Sequence, residues 1–265
     1  MVQMIASYRM KKVPSICGLQ NMKRIQFDDP NDKVDVVRRI KLKVSENMIT
    51  AAGISLPDSW KPMSDKTEID VFPIPNLTNS IVDVEKQFMD SVQKGNHAFK
   101  VPNVQKLKVI EIKRIQNKTL YKQYAAKRLQ LEKQNPTGTK NEQNCGMEQT
   151  RQLYSINTNG FNRGYCGKHG TWFGQGVYFT PDASYSARAW LAQPGVSQKQ
   201  FMYQSLVLTG EYTLGKKDMR AAPSKDPKDP LKLYDSVVND VNNPEEFVIF
   251  HDTQAYPEFL ITFQC

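Results

Sequence analysis

The residue types able to do chemistry are most concentrated between Gly160 and Trp190. The stretch opens with Gly160-Phe161-Asn162-Arg163 and passes through a glycine-rich turn that contains His169-Gly170-Thr171. It then reaches a short apolar run, Val177-Tyr178-Phe179, a serine-rich helix start with Ser186, and Trp190. Farther on, Glu245 and Glu246 directly precede the apolar run Phe247-Val248-Ile249-Phe250. Rings, hydroxyls and a carboxylate are groups that hold and polarise a ligand. Metal chemistry is a poor match: Cys17, Cys145, Cys166 and Cys265 are scattered, no pair has ligand spacing, and there are three histidines. Plainer readings stand beside these. Tyr178 also reads as a sheet tyrosine, Ser186 as a helix-start serine, Trp190 as packing, and Glu245-Glu246 as a solvated turn after Pro244.

The elements that must position these residues are legible in outline. Ile81, Val84, Phe88 and Val92 recur at helical spacing. The run from Val104 to Gln116 reads as a strand, with Leu107, Val109, Ile110, Ile112 and Ile115 as core residues. Leu120, Tyr121 and Tyr124 begin a helix that runs to about Lys133, and Pro136-Thr137-Gly138 ends it. After Trp190 the pattern is strand-rich: Phe201 to Tyr212, Leu233 to Val238 as a short strand or turn, Phe247 to Phe250, and Phe259 to Phe263. Prolines 223, 227 and 230 mark a loop. Several strands with a few peripheral helices predict an α+β fold with a largely antiparallel sheet.

A chain of 265 residues, 39% hydrophobic and 24% charged, has the composition of a soluble globular protein of one or two domains. It shows neither a bilayer-length apolar run nor the long apolar core of a secretory signal, so the expected location is the nucleus or cytoplasm, or both. A net charge of +9 favours polyanionic partners. Lys and Arg are densest from Lys106 to Lys140, which reads as a solvated helix face or an RNA-binding groove. Residues 1–53 are basic, poor in aromatics and weakly patterned. They form a segment separate from 54–265, a linker or the remnant of a small β module.

The motifs from Gly160 onward resemble the catalytic domain of the poly(ADP-ribose) polymerase family, the diphtheria-toxin-like ADP-ribosyltransferases, and its mono-ADP-ribosylating branch in particular. The resemblance rests on Gly160-Phe161-Asn162-Arg163, Gly174-Gln175-Gly176-Val177-Tyr178-Phe179, Leu208-Thr209-Gly210, Tyr234-Asp235-Ser236 and Phe247 to Ile261, in order and spacing. It covers roughly 54–265. It implies a split-sheet ADP-ribosyltransferase fold and NAD as co-substrate. In the reaction the nicotinamide–ribose bond breaks, the ribose becomes oxocarbenium-like, and a protein acceptor captures it. It further implies that Tyr178 packs on the nicotinamide, Ser186 meets its amide, and Trp190 lies near a second sandwiching aromatic. Glu246 takes the position where a glutamate bonds a ribose hydroxyl, although the mono branch usually has Ile or Leu there. The N-terminal segment resembles, on this view, a remnant of a WWE module.

One piece is out of place. The family's His-Gly-Thr lies some fourteen residues before the Gly of Gly-Phe-Asn-Arg, and counting back from Gly160 reaches Gly146. Either Gly146 replaces the histidine and Met147 follows it, or Cys145 does with a one-residue slip. The flank Asn141-Glu142-Gln143-Asn144 is polar where the family is apolar, so a central strand here would bury amides at about 1–3 kcal/mol for each unsatisfied group. His169-Gly170-Thr171 lies nine residues before Tyr178, in the loop that covers the groove, and does not substitute. Two functions are therefore expected in competition: an NAD-dependent transferase, or an inactive module that binds protein or RNA.

Overall fold

Burial alternates at the start of the strand Lys108–Asn117 and becomes continuous over its last four residues, so both faces of its second half are covered. Ile112 goes to one face and Ile115 to the other, while Ile110, expected in the core, stands 46% exposed near the strand start. The computed structural model describes residues 54–74, 79–94, 106–148, 153–165, 171–187 and 199–264. These lie in one compact unit, Ile54–Cys265. The segment 1–53 lies outside the described residues.

In chain order the elements are β1 (Ile69–Pro73), α1 (Asn79–Lys94), β2 (Lys108–Asn117), α2 (Lys118–Gln134), β3 (Glu142–Glu148), α3 (Leu153–Asn159), β4 (Val177–Phe179), α4 (Ala183–Ser186), β5 (Gln200–Leu208), β6 (Tyr212–Leu214), β7 (Ser224–Asp226), β8 (Asp229–Leu233), β9 (Ser236–Val238), β10 (Phe247–Ile249) and β11 (Ala255–Gln264). The larger sheet has the order β1-β2-β11-β5-β3 and is antiparallel throughout. The second has the order β4-β10-β9-β6, in which β6 and β9 run parallel. The prolines expected in a loop flank and enter a hairpin, β7-β8. The fold is thus α+β with a split, largely antiparallel sheet.

The larger sheet is covered on both faces. Phe88 and Val92 of α1 pack on Ile112, Met202, Ile261 and Phe263. Trp60 joins Tyr124, Leu208 and Tyr256 beneath α2 on the same side. On the opposite face Ile115, Cys145, Tyr203, Val207 and Leu260 meet Val177, Phe179 and Ile249 of the smaller sheet. Helix α2 starts where Asn117 Oδ1 accepts the Leu120 N–H at 3.0 Å, and ends where Asn135 N–H reaches Leu131 O at 2.9 Å.

The polar flank before Cys145 forms a strand after all. β3 lies at the sheet edge, not the centre. Asn144 is exposed, and Gln143 Nε2 donates to Thr209 Oγ1 at 3.1 Å. The desolvation cost expected of buried amides is not incurred, because an edge strand offers water on one side.

Candidate active site

Gly160-Phe161-Asn162-Arg163 works as a clamp between the sheets. Phe161 is buried edge-on against Phe179 and Tyr203, with ring centroids 4.9 and 5.8 Å away. Arg163 donates to the carbonyls of Arg220 at 3.0 Å and Phe250 at 3.2 Å. These two bonds tie the end of the motif to the segments around Arg220 and Phe250.

β4 approaches β10 so closely that a Cβ on Gly176 would lie 2.3 Å from Ile249 O. Only glycine permits that contact. Along β4, Val177 and Phe179 turn into the inter-sheet core, and Tyr178 turns to the other face. There its ring packs in the cluster of Val237, Val248 and Phe250, and it is partly exposed. Its hydroxyl accepts the Phe173 N–H and donates to Gly174 O, both at 2.9 Å. Tyr178 therefore packs as the sheet tyrosine of the plainer reading and, in addition, holds the residues just before its own strand.

Beyond Phe179 the chain meets the edge of the larger sheet. Gly146 N–H donates to Thr180 O at 2.7 Å, and Thr180 N–H donates to Gly146 O at 3.1 Å. Asp182 then caps the short α4, its Oδ1 accepting the Ser184 N–H at 2.8 Å. Ser91 Oγ of α1 accepts the Ala183 N–H at 2.8 Å and fixes the turn from outside. Ser186, at the end of α4, is buried, and its Oγ lies 3.7 Å from where a Cβ on Gly146 would stand.

The structure thus brings Gly146 and Ser186 together. Cys145 points the other way, into the inter-sheet core, where burial pushes its thiol up to about 12. Met147 is half-buried against that same core.

Glu246 lies at the second sheet, at the start of β10. The register of β10 on β4 ends at Phe247↔Phe179, and Glu246 directly precedes it. Its backbone is fixed by Asn239, whose Oδ1 accepts the N–H groups of Glu245 at 3.0 Å and Glu246 at 2.9 Å. Asn239 N–H donates in return to Glu246 O at 3.3 Å.

Gly146, Thr180 and Ser186 therefore converge, and Glu246 lies one residue past the ladder that joins β10 to β4. Trp190 and His169 lie outside the described residues. Thr180 and Asn239 were not singled out in the sequence. Thr180-Pro181-Asp182 carried a turn signal, whereas nothing local marks Asn239. At Gly146 the surface encloses a cleft of about 90 Å³ lined in part by Phe88, Cys145, Gly146, Ala183 and Met202.

This split-sheet fold, with a glycine-bearing edge strand beside a short serine-bearing helix, defines a class. Residues 86–265 match the poly(ADP-ribose) polymerase catalytic domain. The chain belongs to that family. It is 32% identical over 221 residues to human protein mono-ADP-ribosyltransferase PARP14, covering 83% of this chain and 12% of the relative. It is 30% identical over 229 residues to human PARP11, also a protein mono-ADP-ribosyltransferase, covering 80% and 64%. Mouse PARP10, of the same description, is 34% identical over 167 residues, covering 59% and 16%. The chain spans less than two thirds of the length of these relatives.

Among the described residues no helix is long and apolar enough to cross a membrane.

Proposed function

We infer that the chain is an NAD-dependent mono-ADP-ribosyltransferase domain that modifies protein acceptors. The observation that carries this is the approach of Ser186 to Gly146 in a fold of this family, with Glu246 directly before β10. Ser186 supplies a hydroxyl for the nicotinamide amide. Glu246 supplies a carboxylate for a ribose hydroxyl and for the acceptor. Such fixed groups lower the barrier by positioning and by stabilising positive charge at the ribose carbon. As the nicotinamide–ribose bond breaks, nicotinamide leaves with the bonding pair, and an acceptor side chain forms the new bond to the ribose and loses its proton.

The fit to NAD is incomplete in two respects. Both backbone groups of Gly146 are spent on Thr180. The cleft of about 90 Å³ beside it is also below the roughly 300–1,000 Å³ usual for ligand sites. Binding a nicotinamide amide on this strand requires Gly146 to exchange Thr180 for the ligand. The same observation favours a second reading, a non-catalytic member of the family that binds protein.

Incubation with labelled NAD separates the two. The first reading expects label on the chain or on added protein and a rise in melting temperature with NAD. It also expects loss of transfer in Tyr178→Ala. Absence of both transfer and thermal shift leaves the non-catalytic reading.

A further inference from the structure

A larger cleft of about 490 Å³ opens where the loop after α2, the end of β5 and the segment before β10 meet. Its volume falls within the range of ligand sites. It is lined by Lys140, Glu211, Tyr212, Tyr234, Pro244 and Phe247, among others. We propose that this cleft anchors an acidic side chain of the acceptor protein, on a peptide segment that runs from here toward Gly146; the second half of the statement rests on the transferase reading.

The walls are preorganised. Tyr212 stands edge-on to Phe247 with centroids 5.4 Å apart. Glu211 is ion-paired to Lys225, which also lies over the Tyr234 ring at 6.0 Å. Asp235 Oδ2 accepts the Glu211 N–H at 2.9 Å and the Asn135 side-chain N–H at 2.7 Å, which holds the rim to the end of α2.

Lys225 lies between Glu211 and Asp235, 3.8 Å from the latter, and offsets one of the two carboxylates; the lining side-chain groups left unspent are donors. Lys140 is exposed, its Nζ making one long contact of 3.4 Å with Gln143 Oε1. The hydroxyls of Tyr212 and Tyr234 form no hydrogen bond with the described residues. One ammonium and two phenols make an anion site of modest strength. No arginine and no helix N-terminus is among the lining residues, and those are the usual holders of phosphate. The donor set therefore suits a single carboxylate, and the aromatic and proline walls suit the peptide that carries it.

The place of the cleft gives this anchor a use. Gln143 lines it, and Gly146 lies three residues along the same strand, about 10 Å away at the rise of an extended chain. A peptide with its acidic residue in the cleft reaches the Gly146 end about three residues later. The modified residue should accordingly lie about three positions from an Asp or Glu.

The probe is a fluorescein-labelled nonapeptide with one glutamate beside a phenylalanine and a serine three positions on. Its glutamine counterpart and AMP serve as controls. Fluorescence anisotropy with the full chain, without NAD, should show the glutamate peptide binding about tenfold more tightly than the glutamine one. Lys140→Gln should erase that preference, and Tyr212→Phe and Tyr234→Phe should each reduce affinity severalfold. Equal affinities, no binding, a preference that survives Lys140→Gln, or tighter binding of AMP than of the peptide overturns the proposal. Since this readout needs no NAD, it stands or falls apart from the transferase reading. With NAD present, label on residues without an acidic neighbour would confirm transfer and still sink the acceptor register.

Discussion

Gly146 and Thr180 exchange both backbone hydrogen bonds, at 2.7 and 3.1 Å, and so tie the edge of the five-stranded sheet to the chain leaving β4. Gly146 also pairs with Gln204 on its other side. The edge that would otherwise invite a ligand or another strand is closed at this point. A Cβ at Gly146 would meet Met202 Sδ at 3.2 Å and Ser186 Oγ at 3.7 Å.

Gly146→Ala should therefore be nearly neutral, because the Met202 side chain yields by a few tenths of an ångström. Gly146→Leu should destabilise by about 1–3 kcal/mol through overpacking. Thermal denaturation of the two variants checks this; a Leu variant as stable as the parent would show the strand to be freer than the contacts require.

Gly176 is the stricter case. An added Cβ would meet backbone, Ile249 O at 2.3 Å, not a flexible side chain. Gly176→Ala should push β4 from β10 and cost more than about 2 kcal/mol. Melting of Gly176→Ala beside Gly138→Ala makes the comparison sharp, since a Cβ at Gly138 meets nothing within 4 Å and the cost there comes from its φ of +92° alone.

Asn239 positions Glu246 through the backbone. Removing its side-chain acceptor in Asn239→Ala leaves two N–H groups without their partner, at about 1–3 kcal/mol for each that stays dry. Asn239→Asp keeps the acceptor and should retain most of the stability. Amide exchange of Glu245 and Glu246 should accelerate in the Ala variant and not in the Asp variant. If transfer is observed, its rate should fall in parallel.

His251 gives stability a dependence on pH near neutrality. Burial, reinforced by Lys127 and Arg163 and opposed by Asp252, holds its pKa below the ordinary 6.5. A histidine with a depressed folded pKa binds fewer protons folded than unfolded. Its contribution to stability is complete above 6.5 and is lost as pH falls through the folded value. Urea midpoints should thus drop as the pH is taken below 6.5, and His251→Asn should flatten the decline. Parallel declines in parent and variant would assign the effect to other groups.

Much of the architecture was legible in the chain because its signals are local. Helical spacing of Val84, Phe88 and Val92 found α1, and the β-branched run around Ile112 and Ile115 found β2. Phe247-Val248-Ile249 and the glycines before Tyr178 marked the two strands that bear the candidate site. Legibility failed where a residue's surroundings come from distant sequence. Ile110 looks like core but sits near a strand start with little above it. Asn141 to Asn144 looked unfit for a strand, because a linear pattern does not reveal whether a strand will be central or at an edge.

The order of turn, strand and helix, and the family that order belongs to, follow from the sequence by itself, since periodicity and glycine placement act over a few residues. Tertiary structure alone decided which face each site residue presents. It turned Cys145 inward and set Gly146 beside Ser186. It also spent the Gly146 backbone on Thr180 and let Asn239 fix Glu246 from seven residues away. These outcomes depend on sheet register and on contacts between elements far apart in the chain, which no local preference encodes.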